Sequence, residues 1–79
     1  VIIEDHASLG PGCLIGGGSV VREHSALGIG STLIHNVTVG SHTVIGAGSV
    51  VVRDIACNVV AYGVPARKIA TRQKGDNYL

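Results

Sequence analysis

Four imidazoles, two thiols and a run of cations are the groups in this 79-residue sequence that could do chemistry. His6, His24 and His42 stand 18 residues apart, and His35 lies outside that series. An imidazole beside a hydroxyl or amine is a common general base, and three converging histidines can hold zinc. The stretch "IGAGSVVVRDI", Ile45 to Ile55, sets two glycines before three valines. It reads either as a phosphate-cradling loop or as one turn of a repeat. Arg67, Lys68, Arg72 and Lys74 are four of the six basic residues. They suit either a phosphate site or a solvated helix face with charges on its last carbonyls. Cys13 and Cys57 have no metal-finger or Cys-x-x-Cys spacing and read as reduced, buried thiols.

The elements that position these groups follow from an internal period. Steps of six from Ile3 give Leu9, Ile15, Val21, Leu27, Leu33, Val39, Ile45 and Val51, all aliphatic, and then Cys57. Four places after each stands a mostly small residue: Ala7, Cys13, Ser19, Ser25, Ser31, Val37, Thr43, Ser49 and Ile55. Three places after each stands His6, Gly12, Gly18, His24, Gly30, Asn36, His42, Gly48 or Asp54. Glycine is at home at positive φ, and Asn, Asp and His are enriched there among the other residues. Each hexad is therefore predicted to hold one tight turn with a left-handed residue. A six-residue period fits strands and turns, not a helix. Three hexads make an 18-residue triangular coil, which predicts coils Ile3–Val20, Val21–Thr38 and Val39–Ala56 and a partial fourth. His6, His24 and His42 then stack at one corner as turn residues. At a subunit interface such a ladder would respond to pH near neutrality, because neighbouring protonated imidazoles repel.

Past Ala56 the hexad rhythm breaks at Gly63-Val64-Pro65-Ala66. Pro65 suits the first turn of a helix and Gly75 its end, which predicts a short helix near Ala66 to Lys74. That segment is expected to cover unpaired strand edges at one end of the prism. The chain divides into a repeat region, 1–62, and a C-terminal segment, 63–79. Composition narrows the function. A formal charge of +1 and two tyrosines as the only aromatics give no nucleic-acid footprint. No apolar run approaches the roughly 20 residues of a membrane span, and no signal-peptide pattern opens the chain; the expected location is cytoplasmic. Asn36-Val37-Thr38 matches a glycosylation sequon and carries no weight without a secretion signal.

The hexads followed by "NVVAYGVPARKI" resemble the hexapeptide-repeat acyltransferases, most nearly the C-terminal domain of sugar acetyltransferases of the sialic acid and bacillosamine type. The likeness runs from Ile3 to Ile69. It implies an all-β, single-stranded left-handed parallel β-helix, here with a short C-terminal helical cap; the left hand comes from the resemblance, not the period. It implies acetyl-CoA as co-substrate, no metal, a homotrimer with the ligand groove between subunits, and a small, sugar-like acceptor. By the resemblance Gly17 falls where a backbone amide meets the acetyl thioester. Ile29 and Ala47 fall on cofactor-lining turns. Pro65, Arg67 and Lys68 fall near the pantetheine and phosphate end.

There are departures from the family. Its nucleotide-fold domain for the sugar is missing, and its catalytic His-Glu pair would lie just upstream of Val1. A second family histidine falls on Ser8. Because Val1 begins in mid-coil, the chain reads as a truncated reading frame or a stand-alone β-helix. The family's catalytic histidine occupies the column that here holds Gly17, His35 and Arg53, which makes His35 the candidate base. Two other readings stand beside acyl transfer. One is a trimeric β-helix that binds a partner or a CoA-like ligand without catalysis. The other follows the similarity of "LIHNVTVG" to γ-class carbonic anhydrases, zinc proteins with three histidines; their partner ligand falls on Gly30, and the third finds no match. A core without large aromatics and with broad exposed faces favours side-by-side assembly.

Overall fold

The computed structural model describes residues 1–71. Nine two-residue strands follow one another at six-residue intervals: β1 (Ile2–Ile3), β2 (Ser8–Leu9), β3 (Leu14–Ile15), β4 (Val20–Val21), β5 (Ala26–Leu27), β6 (Thr32–Leu33), β7 (Thr38–Val39), β8 (Val44–Ile45) and β9 (Val50–Val51). The first six each pair in parallel with the strand 18 residues on, as in Ile3↔Val21 and Val21↔Val39. The chain thus winds as a triangular prism with sheets β1-β4-β7, β2-β5-β8 and β3-β6-β9 as its walls. The second wall continues into β10 (Val59–Tyr62) and β11 (Arg67–Thr71). Among the described residues there is no helix, hence none long and apolar enough to cross a membrane.

The aliphatic ladder fills the axis. Val21, Leu27, Leu33, Val39, Ile45 and Val51 are buried, and their alternation with outward residues is the strand period at work. Eight of the nine slots predicted to be left-handed have positive φ, including His6 at 61°, His24 at 58° and His42 at 55°. The small slot serves a second purpose. Cys13 Sγ donates to Gly28 O, Ser19 Oγ to Ile34 O, Ser25 Oγ to Gly40 O and Ser31 Oγ to Gly46 O, each 15 residues on. A corner carbonyl that the walls leave unpaired thus gains a donor from the coil beneath. Ser31 also bonds Gly28 O, at 2.8 Å. Ser31→Ala removes two such bonds while Gly28 O and Gly46 O keep their turn bonds from Ser31 N and Ser49 N, so it is expected to cost about 1 kcal/mol. A urea melt at fixed protein concentration measures it.

The third coil departs from the sequence expectation. Val39 bridges Ile55, and Val44 and Ile45 pair with Val60 and Ala61, a step of 16 residues instead of 18. Thr43 Oγ1 correspondingly reaches Ala56 O, 13 residues on. The corner that would hold Asp54 as a left-handed residue is cut out, and Asn58, at positive φ, takes the turn slot over His42. Asp54 acts through its side chain: Oδ1 accepts from Thr38 N at 2.9 Å, while Ile55 N donates to Thr38 O. The carboxylate stands in for the carbonyl that a full corner would have offered. Cys57 consequently leaves the inward ladder and is exposed at a turn, its Sγ 3.7 Å from Ser41 Oγ. Ile55, which bridges Val39 and packs against the core, takes its place on the ladder, and the buried Ala61 follows over Ile45. The buried-thiol expectation therefore fails for Cys57, and Cys13 is only partly buried.

The helical cap is also corrected. Arg67–Thr71 is strand β11, antiparallel to β10; the rest of the expected helix, 72–74, lies outside the described residues. All five residues of β11 are exposed, so a helix here would have had no face to bury. A short helix without packing is marginal, whereas the open edge of β10 offers ready backbone partners. The turn between the strands crosses the end of the third wall. Val50 N donates to Gly63 O, and Ala66 N donates to Val50 O. The C-terminal segment does close strand edges, as a hairpin.

Candidate functional site

Each corner of the prism stacks one residue per coil, so residues 18 apart become neighbours. One corner carries Gly17 and His35, and Arg53 lies where that corner is shortened in the third coil. A second carries Pro11, Ile29 and Ala47. The third carries the stacked His6, His24 and His42, whose ring centroids lie 4.9 Å apart at interplanar angles of 15° and 13°. Beside that ladder Arg22 pairs with Glu4 at 3.1 Å. The histidine ladder and His35 therefore stand on different corners. Among the described residues no three His, Cys, Asp or Glu side chains are grouped to hold a metal ion.

Gly17 is a glycine that the coil does not explain. Its φ is not positive, and an added Cβ would meet nothing within 4 Å. Gly16 beside it is different, because a Cβ there would lie 2.5 Å from His35 N. Gly17 O accepts from Asn36 N at 2.9 Å, but its N–H has no partner among the described residues. An exposed corner with a free amide and no side chain admits close backbone approach by a ligand. Gly17→Ala is expected to leave the melting temperature unchanged or slightly raised, since alanine narrows the unfolded ensemble. Gly16→Ala should lower it through the clash. Differential scanning calorimetry of the two variants checks the contrast.

Pro65, Arg67 and Lys68 are brought together by the hairpin. They line a cleft of about 250 Å³ with Arg53, Asp54, Ile55, Ala56, Val59 and Ala66. The cleft exists because the third coil is short: the missing corner leaves room between Arg53–Ala56 and the returning chain. Its floor is apolar and its rim holds three cations. None of the three forms an ion pair among the described residues, and the carboxylate nearby, Asp54, is engaged with Thr38 N. Such a rim recognises an anion with an apolar body. Arg53 was not singled out for this role from the sequence. Its column with Gly17 and His35 was visible, but its closeness to Arg67 depends on the shortened coil.

Ile29 and Ala47 remain apart from Gly17 and His35. They share an exposed corner at the opposite edge of the third wall, Ile29 being 64% exposed. One chain thus presents the expected site residues as two separate corners and one cleft.

Residues 18–53 match the family model of the bacterial transferase hexapeptide, six repeats. No curated protein sequence matches the chain. Among solved structures, a mutant of perosamine N-acetyltransferase from Caulobacter crescentus, in complex with CoA and GDP-perosamine, is 43% identical. The match covers 94% of this chain and 33% of that one, with a TM-score of 0.82. Serine acetyltransferase from Brucella abortus strain S19, in complex with coenzyme A, is 34% identical over 90% of this chain and 32% of that one, with a TM-score of 0.84. A mutant of AntD, an N-acyltransferase from Bacillus cereus, shares the fold at a TM-score of 0.88 and 21% identity, covering 91% of this chain and 52% of that one. The chain spans about a third of the length of the first two. By its repeat and its fold, the chain belongs to the hexapeptide-repeat family of left-handed parallel β-helices.

Proposed function

We propose that the chain binds acetyl-CoA and takes part in acyl transfer to a hydroxyl or amine of a small acceptor. The observation that carries this reading is the cleft beside the GVPARK turn, with Arg53, Arg67 and Lys68 around an apolar floor and no ion-pair partners. CoA offers matching chemistry, phosphates for the cations and a pantetheine arm for the apolar surface. The CoA complexes of the Caulobacter and Brucella enzymes support it, and GDP-perosamine in the former supports a small-molecule acceptor.

The separation of the two corners supports a homotrimer. In a trimer the Ile29–Ala47 corner of one subunit faces the Gly17–His35 corner of the next, and the groove between them unites what one chain keeps apart. Gly17 N–H then donates to the thioester carbonyl. His35 removes the proton from the acceptor, whose oxygen or nitrogen forms the new acyl bond while the carbon–sulfur bond breaks and CoA leaves as the thiolate.

Calorimetry with acetyl-CoA is expected to show binding in the micromolar range, and no heat at millimolar ligand would overturn the reading. If CoA binds, His35→Ala should abolish turnover at unchanged affinity. Unchanged turnover would remove His35 as the base, and no turnover in the wild type would favour a chain that binds CoA without catalysis.

A further inference from the structure

Tyr62 is the one tyrosine among the described residues, and its place in the fold is unusual. In the coils beneath, the space over the corner glycine is filled by backbone of the next corner. A Cβ on Gly10 would lie 2.8 Å from Ile29 N, and one on Gly28 would lie 2.6 Å from Ala47 N. Above Gly46 there is no such corner, and the ring of Tyr62 occupies the space, so that a Cβ on Gly46 would fall onto Tyr62 Cδ1. The ring is therefore seated against backbone, yet Tyr62 remains 55% exposed, and its hydroxyl has no partner among the described residues. Ala47 adjoins it in the chain after Gly46, Ile29 stands one coil below, and Val64, 73% exposed, follows in the turn.

A second observation concerns charge. Tyr62 and Arg67 are direct partners across the hairpin, so their side chains leave it on the same face. A fixed aromatic surface next to a guanidinium without an ion pair is suited to a nucleotide, with the base stacked on the ring and phosphate on the cation. A seat for the ring alone would not need that neighbour. The geometry points to Tyr62 as the surface on which the adenine of CoA stacks. This rests on the cofactor reading above and adds to it the residue that distinguishes CoA from its adenine-free fragments.

The test compares CoA with 4′-phosphopantetheine, which keeps the pantetheine arm and lacks the adenosine. Tyr62→Leu fills the seat over Gly46 without an aromatic face. It is expected to weaken CoA by about tenfold, in keeping with the loss of one stacked base, and to leave 4′-phosphopantetheine unchanged. Tyr62→Phe should bind CoA as the wild type does. Because the chain has no tryptophan, Tyr62→Trp supplies a direct reporter: its emission should be quenched by CoA and not by 4′-phosphopantetheine. Equal weakening of both ligands by Tyr62→Leu, weakening of neither, or no quenching by bound CoA would overturn the inference and leave the cofactor reading standing. A wild-type chain that binds no CoA would overturn the cofactor reading itself.

Discussion

Leu33→Ala is expected to destabilise the chain by about 3 kcal/mol, within the range for truncating a fully buried leucine. Leu9→Ala should cost less than about 1 kcal/mol, since much of what it removes already faces water. The two leucines hold the same slot of the hexad, so sequence alone gives them the same role. Burial separates them: Leu33 is 1% exposed, between Ile15 and Val51 in its wall, whereas Leu9 is 43% exposed in the first coil. A cavity at Leu33 cannot collapse easily, because its neighbours are fixed by parallel ladders above and below. A domain of this kind has only about 5–15 kcal/mol of net stability, so the Leu33 variant loses a large part of it. Urea denaturation at one protein concentration decides between burial and slot, concentration being fixed because assembly shifts apparent stability. Equal losses at both sites would mean that the first coil is covered in solution.

The largest expected effect on binding follows from the cations of the cleft. Alanine at both Arg67 and Lys68 is expected to weaken CoA by about a hundredfold, each charge-assisted contact contributing roughly tenfold. Both residues are exposed on β11 and neither has an ion pair among the described residues. Their loss should therefore change stability by less than about 0.5 kcal/mol. The wild type should also lose affinity as salt rises, and the double variant should lose less, since screening acts on the charges removed. Calorimetry at two salt concentrations reads both effects. Unchanged CoA affinity in the double variant would place the phosphates elsewhere.

Much of the prism was legible because its information is local and repeated. The aliphatic slot, the small slot and the left-handed slot each recur every six residues, and each answers to a separate physical demand: a dry axis, a donor for a corner carbonyl, and a turn at positive φ. The same regularity misled at the end. Ile55 and Cys57 satisfy the hexad by type, yet the chain skips two residues there, because Asp54 can supply by side chain the acceptor that a full corner supplies by backbone. The reading of Pro65 as a helix start failed for a related reason. Propensity describes an isolated segment, and Arg67–Thr71 meets an open strand edge on β10.

The candidate site divides along the same line. The columns that place Gly17 under His35, and Ile29 under Ala47, follow from the 18-residue period and were fixed by sequence alone. So was the histidine ladder, since stacking needs only the period and a turn at each corner. Tertiary structure decided which glycine the coil does not require, because that depends on whether a neighbouring backbone fills the space of a Cβ. It also decided that Arg53 meets Arg67 and Lys68 across a cleft, and that Tyr62 stands opposite Arg67. Those contacts arise where the repeat ends and the chain turns back on itself; the period shows that it stops, but holds no information about how the chain packs beyond the break.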